Sequence, residues 1–125
     1  MKTSLLIILL LSANSLLFGQ AQNCKPLHKG KFRLVSGDTT MIERTKKLQI
    51  EESADVKMIF DLTWVDDCTY ELRARQLLKG DPKYAPKEGQ VIRVRIKEIK
   101  TNSYICESTS NYSDLVLESE IEILR

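Results

Sequence analysis

The feature that most constrains this chain is an alternation running through residues 60–74. Even positions carry Phe60, Leu62, Trp64, Cys68, Tyr70, Leu72 and Ala74, broken only by Asp66, while odd positions carry Asp61, Thr63, Val65, Asp67, Thr69, Glu71 and Arg73. A period of two places every second side chain on one face, so the segment reads as half-buried β-structure. Asp66-Asp67 reads as the turn of a hairpin. A three-residue loop over 65–67 sets Trp64 opposite Cys68, Leu62 opposite Tyr70 and Phe60 opposite Leu72, all on one face. The stretch 71–78 also has helix propensity, and a short helix is the alternative there.

The same period recurs over 90–99, where Ile92, Val94 and Ile96 oppose Arg93, Arg95 and Lys97. Between these segments, 79–89 holds Gly80, Pro82, Pro86 and Gly89 among charges and reads as an exposed loop. Folding back around it brings Leu72 near Ile96 and Arg73 near Arg95. Further strands are expected at 31–35, before a Ser36-Gly37-Asp38 turn, and at 39–45, 48–52, 103–108 and 115–124. With about eight strands and short connections, the fold class is all-β, an antiparallel meander. It closes as a lipocalin-like barrel or stays a curved open sheet or sandwich, and periodicity does not choose. The choice matters, because a closed small barrel holds one apolar ligand whereas an open sheet offers a contact surface.

Ahead of these strands, Lys2 precedes an apolar run over 5–11 and a second patch, Leu16-Leu17-Phe18, with small residues at Gly19 and Ala21. This pattern is that of a signal peptide over 1–21, cleaved after Ala21, leaving 22–125 as a single β-domain. A retained N-terminal anchor is the alternative. Gln22 and Asn23 stand before Cys24 where lipidation wants small residues. The remainder lacks the run of roughly 20 apolar residues that a spanning helix needs. The expectation is an exported product, periplasmic or extracellular, with no membrane span after processing. Of 19 Lys plus Arg, Lys2 leaves with the signal, so 18 face 17 Asp plus Glu, a net of +1. That balance argues against a nucleic-acid partner.

Cys24, Cys68 and Cys106 all lie in the exported part, where disulfides form. The expected bridge joins Cys24 to Cys68, and Cys106 is left over as a free thiol buried beside Tyr104 and Ile105, with a reactive or chain-to-chain pairing thiol as the alternative. With His28 the only histidine and no paired cysteine motif, neither a metal site nor a cofactor is expected. Phe60, Leu62, Trp64, Tyr70 and Leu72 form the largest apolar cluster, which lines a ligand cavity or makes the core. Arg73, Arg75, Arg93, Arg95 and Lys97 form a basic stripe, a candidate contact for an anionic envelope component or else a solvated outer face on which Glu71 pairs with Lys97. No spacing among Glu43, Glu51, Glu52, Asp61, Asp66 and Asp67 singles out a glycosidase pair. His28 has no accompanying nucleophile motif and reads as a surface imidazole. No catalytic residue is expected.

The chain resembles a group of short secreted bacterial proteins of unassigned function. The resemblance rests on Cys24, Gly30-Lys31-Phe32, Arg44-Thr45, Gln49-Ile50-Glu51, the run from Trp64-Val65-Asp66-Asp67-Cys68 through Thr69-Tyr70-Glu71-Leu72, and the strand over 91–99. It covers most of the exported part, and its most specific piece is the spacing of Trp64, Cys68 and Tyr70. It implies a small β-domain in which Cys24 and Cys68 are the recurring cysteines and Cys106 is extra; it transfers no catalytic residue. Such groups sometimes carry a topoisomerase-type name. A topoisomerase needs a nucleotide pocket or DNA-cleaving apparatus on a far longer, non-secreted chain, and nothing in these residues supports that activity. The functional expectation is an exported, non-enzymatic binding module for a small apolar ligand inside the barrel. The alternatives are an envelope or surface interaction protein using its basic outer face or an edge strand, and a small hydrolase, whose mark would be a buried acidic pair in a cleft.

Overall fold

A computed structural model describes residues 22–35 and 39–125; the expected signal over 1–21 and the Ser36-Gly37-Asp38 turn lie outside the described residues. Eight strands follow in chain order: β1 (Gly30–Leu34), β2 (Thr40–Arg44), β3 (Leu48–Glu52), β4 (Lys57–Asp66), β5 (Thr69–Lys79), β6 (Ile92–Ile99), β7 (Ser103–Ser110) and β8 (Leu117–Ile123). Each pairs antiparallel with the next, and β1 pairs with β8 through Phe32–Ile123, Arg33–Glu122 and Leu34–Ile121. The meander is therefore a closed barrel, neither an open sheet nor a sandwich. Closure gives the first and last strands backbone partners and removes the exposed edge that an open meander would carry. Outside this seam, Arg33 grips Glu122 with both Nε and Nη2, at 2.7–3.2 Å.

Two expected registers are corrected. Across the hairpin Trp64 faces Tyr70, Leu62 faces Leu72 and Phe60 faces Ala74, two residues from the expected pairing. The turn is tighter than a 65–67 loop: Asp66 pairs with Thr69 after an irregularity past Trp64, and Asp66 Oδ1 accepts the Cys68 N–H at 2.9 Å. On β5–β6, Leu72 faces Ile92, Tyr70 faces Val94 and Glu71 faces Arg93, so neither Leu72–Ile96 nor Arg73–Arg95 forms. Slips by an even number keep each side chain on its own face, which is why the faces were legible and the partners were not. The helix alternative over 71–78 also gives way to strand, because β4 supplies the ladder that propensity ignores.

The two ends of the barrel differ. At one end lie the turns 45–47, 67–68 and 100–102, together with a short 3-10 turn, Lys25–Leu27, ahead of β1. That turn buries Leu27 and is tied to the β4–β5 turn by a Cys24–Cys68 disulfide. Gln22 docks beside it, donating Nε2–H to Lys97 O at 2.8 Å and accepting Ile99 N–H at 3.0 Å. This is the closed end. The other end, the mouth, carries the loops 53–56, 80–91 and 111–116. Among the described residues no helix is long and apolar enough to cross a membrane.

Candidate functional site

Inside the closed end stands a charge. Arg44 ends β2, faces Gln49 across β2–β3, and is only 2 % exposed. Its Nε donates to Gln49 Oε1 at 2.9 Å, Nη1 to Leu27 O at 2.7 Å, and Nη2 to the hydroxyls of Tyr70 and Tyr104 at 3.1 and 3.0 Å. Its Cζ lies 4.5 Å from the Phe32 ring centre and 4.7 Å from that of Tyr70. Burial works against the cation, but the phenols of Tyr70 and Tyr104 and the Glu51 carboxylate outweigh it, and the pKa of Arg44 is raised. A guanidinium so saturated with acceptors and aromatic faces is a structural plug. Burial also pushes the Tyr70 and Tyr104 phenols up, keeping them neutral.

One step toward the mouth, Glu51 faces Ile42 on β2 and Met58 on β4. Both are buried, and register partners share a face, so the carboxylate points into the barrel. Gln49 Nε2 donates to its Oε2 at 2.7 Å. Burial raises the Glu51 pKa above the usual carboxylate range, opposed by the Gln49 hydrogen bond and the Arg44 charge. Glu51 nevertheless keeps accessible surface, as do the inward residues Leu34, Phe60, Ala74 and Ile92.

A cleft of about 360 Å³ lies at the mouth between Met58, Phe60, Leu72, Ala74 and Ile92 on the barrel wall and Tyr84, Pro86 and Tyr112 on the loops. Side chains fix the loops. Asp81 Oδ1 accepts Lys83 N–H at 2.9 Å, while Asn111 accepts Val91 N–H at 2.9 Å and donates to Gly89 O at 2.7 Å. Around the opening Val35, Tyr84, Tyr112, Leu115, Val116 and Leu117 stand exposed, Leu115 to 68 %. Of these, Tyr84 and Tyr112 line the cleft. A separate open groove of about 720 Å³ flanks the closed end, with Lys29, Lys46 and Lys47 beside Trp64 and His28.

The residues singled out from sequence divide between these regions. Leu62, Tyr70 and Leu72 are core, Phe60 and Leu72 reach the mouth cleft, and Trp64 packs at the closed end. The indole stacks on His28 with ring centres 3.6 Å apart, and His28 Nε2 lies 2.8 Å from Asp67 O. His28 is therefore half-buried rather than a free surface imidazole. Trp64 Nε1 is buried and has no hydrogen-bond partner among the described residues. Cys106 is free and buried, its thiol pushed up to about 11 by burial, which leaves it protonated and unreactive at neutral pH.

The basic stripe is interleaved with acids. Arg93 and Arg73 both reach Glu71, at 2.7 and 3.4 Å; Arg75 reaches Asp61 at 3.7 Å; Arg95 reaches Glu107 at 3.6 Å. Lys97 reaches Glu118 at 2.9 Å and Glu107 at 3.7 Å, so Glu71 pairs with Arg93 rather than Lys97. Among the described residues no group of three His, Cys, Asp or Glu side chains is placed to hold a metal. Sequence reading missed the buried Arg44 and the inward Gln49 and Glu51. The available signal was Arg44 following apolar Ile42 at period two, which continues the inward face of β2. No protein-family model matches this chain, and neither the curated proteins nor the solved structures provide a match.

Proposed function

We propose that this protein is an exported, non-enzymatic binding module that takes a small apolar ligand through the mouth of its barrel. The observation that carries the reading is the contrast along the barrel axis. Inward residues at the closed end are sealed, whereas those at the mouth line a mostly apolar cleft of about 360 Å³, to which Lys83, Lys87 and Gln90 add polar groups. That volume lies within the range of small-molecule sites, which are concave, mostly apolar and furnished with a few polar groups. The disulfide supports an oxidising compartment. As for a hydrolase, the groups acting on the desolvated carboxyl of Glu51 are an amide and a guanidinium, and not the second acid such an enzyme would use.

Native mass spectrometry of the processed protein, purified without detergent from its exporting cells, tests this reading. Extra mass that disappears on denaturation, and that an Ala74→Phe variant no longer carries, supports it. A bare mass in both proteins, with no uptake of added apolar compounds, overturns it. A second reading, contact with an anionic envelope component, is favoured by the groove where Lys29, Lys46 and Lys47 converge beside the stacked His28–Trp64 pair. The interleaved stripe on β5 and β6 offers it less.

A further inference from the structure

We infer that the mouth cleft takes a single-chain amphiphile tail first, with an anionic head group, a carboxylate or a phosphate, held at Lys83 and Lys87. This deepens the binding reading and rests on it. Among the residues lining the cleft the only charges are Lys83 and Lys87, with no Asp or Glu beside them. On β4, β5 and β6 the lysines at 57, 79 and 97 are each matched by a glutamate: Lys57 and Lys79 reach Glu52 at 3.8 and 3.4 Å, and Lys97 reaches Glu118 at 2.9 Å. Among the described residues neither Lys83 nor Lys87 forms an ion pair, although Asp81 and Glu88 stand close by in the chain. Asp81 Oδ1 instead accepts the Lys83 N–H. The two cations of the cleft are thus left for an anion to meet.

The loop that carries them is set in place. Pro82 and Pro86 fix φ on either side of Lys83, and the Asp81 cap holds the start of the 3-10 turn Pro82–Tyr84. Lys83 Nζ lies 5.1 Å from the centre of the Tyr84 ring, itself part of the cleft wall, so the ammonium stands at the rim with donors to spare. From there the apolar wall runs inward through Phe60 and Ala74, paired across β4–β5, to Leu72 and Ile92, paired across β5–β6. A chain laid along that wall leaves water while its head stays at the lysines. At about 360 Å³ the space is at the small end of ligand sites and suits one chain. A head sent inward would meet no free cation, because Arg44 is already saturated by Gln49, Leu27, Tyr70 and Tyr104. A cationic head at the rim would be repelled by both lysines, and an uncharged ligand would leave them unused. These arrangements predict different ligand preferences.

Isothermal titration calorimetry of the intact processed protein with decanoate, decyl phosphate, decanol and decylamine, each below its micellar concentration, separates them. Decanoate, decyl phosphate or both are expected to bind about five- to tenfold more tightly than decanol, as ion pairs at an exposed rim imply, with decylamine weakest. The tighter anion identifies the head group. In the double variant Lys83→Gln with Lys87→Gln, both at exposed positions outside the packed core, the anions should fall to the level of decanol while decanol binding stays as it was. Equal binding of all four, a decylamine preference, or an anion preference that the double variant keeps overturns the role of the two lysines and leaves the binding reading standing. Uptake of none of them removes both, and does so even if the protein sediments with phosphatidylglycerol vesicles, since the lysines would then serve a membrane surface.

Discussion

The closed end and the mouth of this barrel are built from the same strands, yet one is saturated and the other is not. Apart from the Trp64 indole N–H, which has no partner among the described residues, the closed end is held by complementary groups: a disulfide, a docked Gln22, a plugging Leu27, and an arginine with four hydrogen-bond acceptors and aromatic faces. At the mouth the strands run on with smaller or partly exposed inward residues such as Ala74 and Ile92, under loops fixed by Asn111 and Asp81. A domain of this size needs one well-packed region to stay folded, and here that region is concentrated at one end. The other end is thereby free to hold a cavity. Substitutions should therefore cost stability at the closed end and binding at the mouth.

The largest effect should come from Arg44→Met, which leaves four acceptors and the inward-facing Glu51 without their cation. Breaking a buried charge network from one side costs about 3–5 kcal/mol. Adding Glu51→Leu to that variant should cost less than Glu51→Leu does alone, because the two charges compensate each other. Urea unfolding of the four proteins measures this, and strict additivity would show that the charges are not coupled.

Next comes the disulfide. Its cysteines lie 44 residues apart, and closing such a loop contributes about 4 kcal/mol in the chain-entropy model. Cys24→Ser with Cys68→Ser should lower stability by about 2–5 kcal/mol without abolishing ligand uptake by the folded protein. Ala74→Phe at the mouth should do the reverse, changing stability by about 1 kcal/mol or less while abolishing uptake. If it destabilises as much as a closed-end variant, the mouth is packed core and the division between the ends fails.

How far the sequence discloses this division follows from its physics. Strand positions and faces on β4, β5 and β6 were legible because alternation survives an even-numbered register slip. The disulfide was legible because an expected oxidising compartment and three cysteines leave only three possible bridges. Closure was not legible, since the β1–β8 pairing joins chain segments that only the three-dimensional path brings together. Nor was the site. On β3, Leu48 and Ile50 are the apolar positions, yet Gln49 and Glu51 are the ones that face inward, because each is the register partner of an inward β2 residue. A strand whose polar face is turned into a core breaks local consistency, and such breaks fall preferentially where function is exerted.

The smallest effect should be the most specific to the mouth. The Glu51 carboxyl, desolvated in the lumen, has a folded-state pKa above its unfolded value, so the folded protein takes up this proton first. Its contribution to stability is full below the ordinary carboxylate range and is lost as pH rises through the raised folded value. Measured against Glu51→Gln, which has no proton to exchange there, the wild type should be relatively most stable near pH ~4 and should fall behind toward pH ~7.5. Glu71, lowered by its hydrogen bond from Arg93, and Glu120, lowered by Ser103, run the other way. Both lie on the outer face of either protein and cancel in the difference. Urea midpoints of the two proteins across that range give the slope. A difference that is flat, or that favours the wild type at neutral pH, would mean that Glu51 is solvated like an ordinary surface acid.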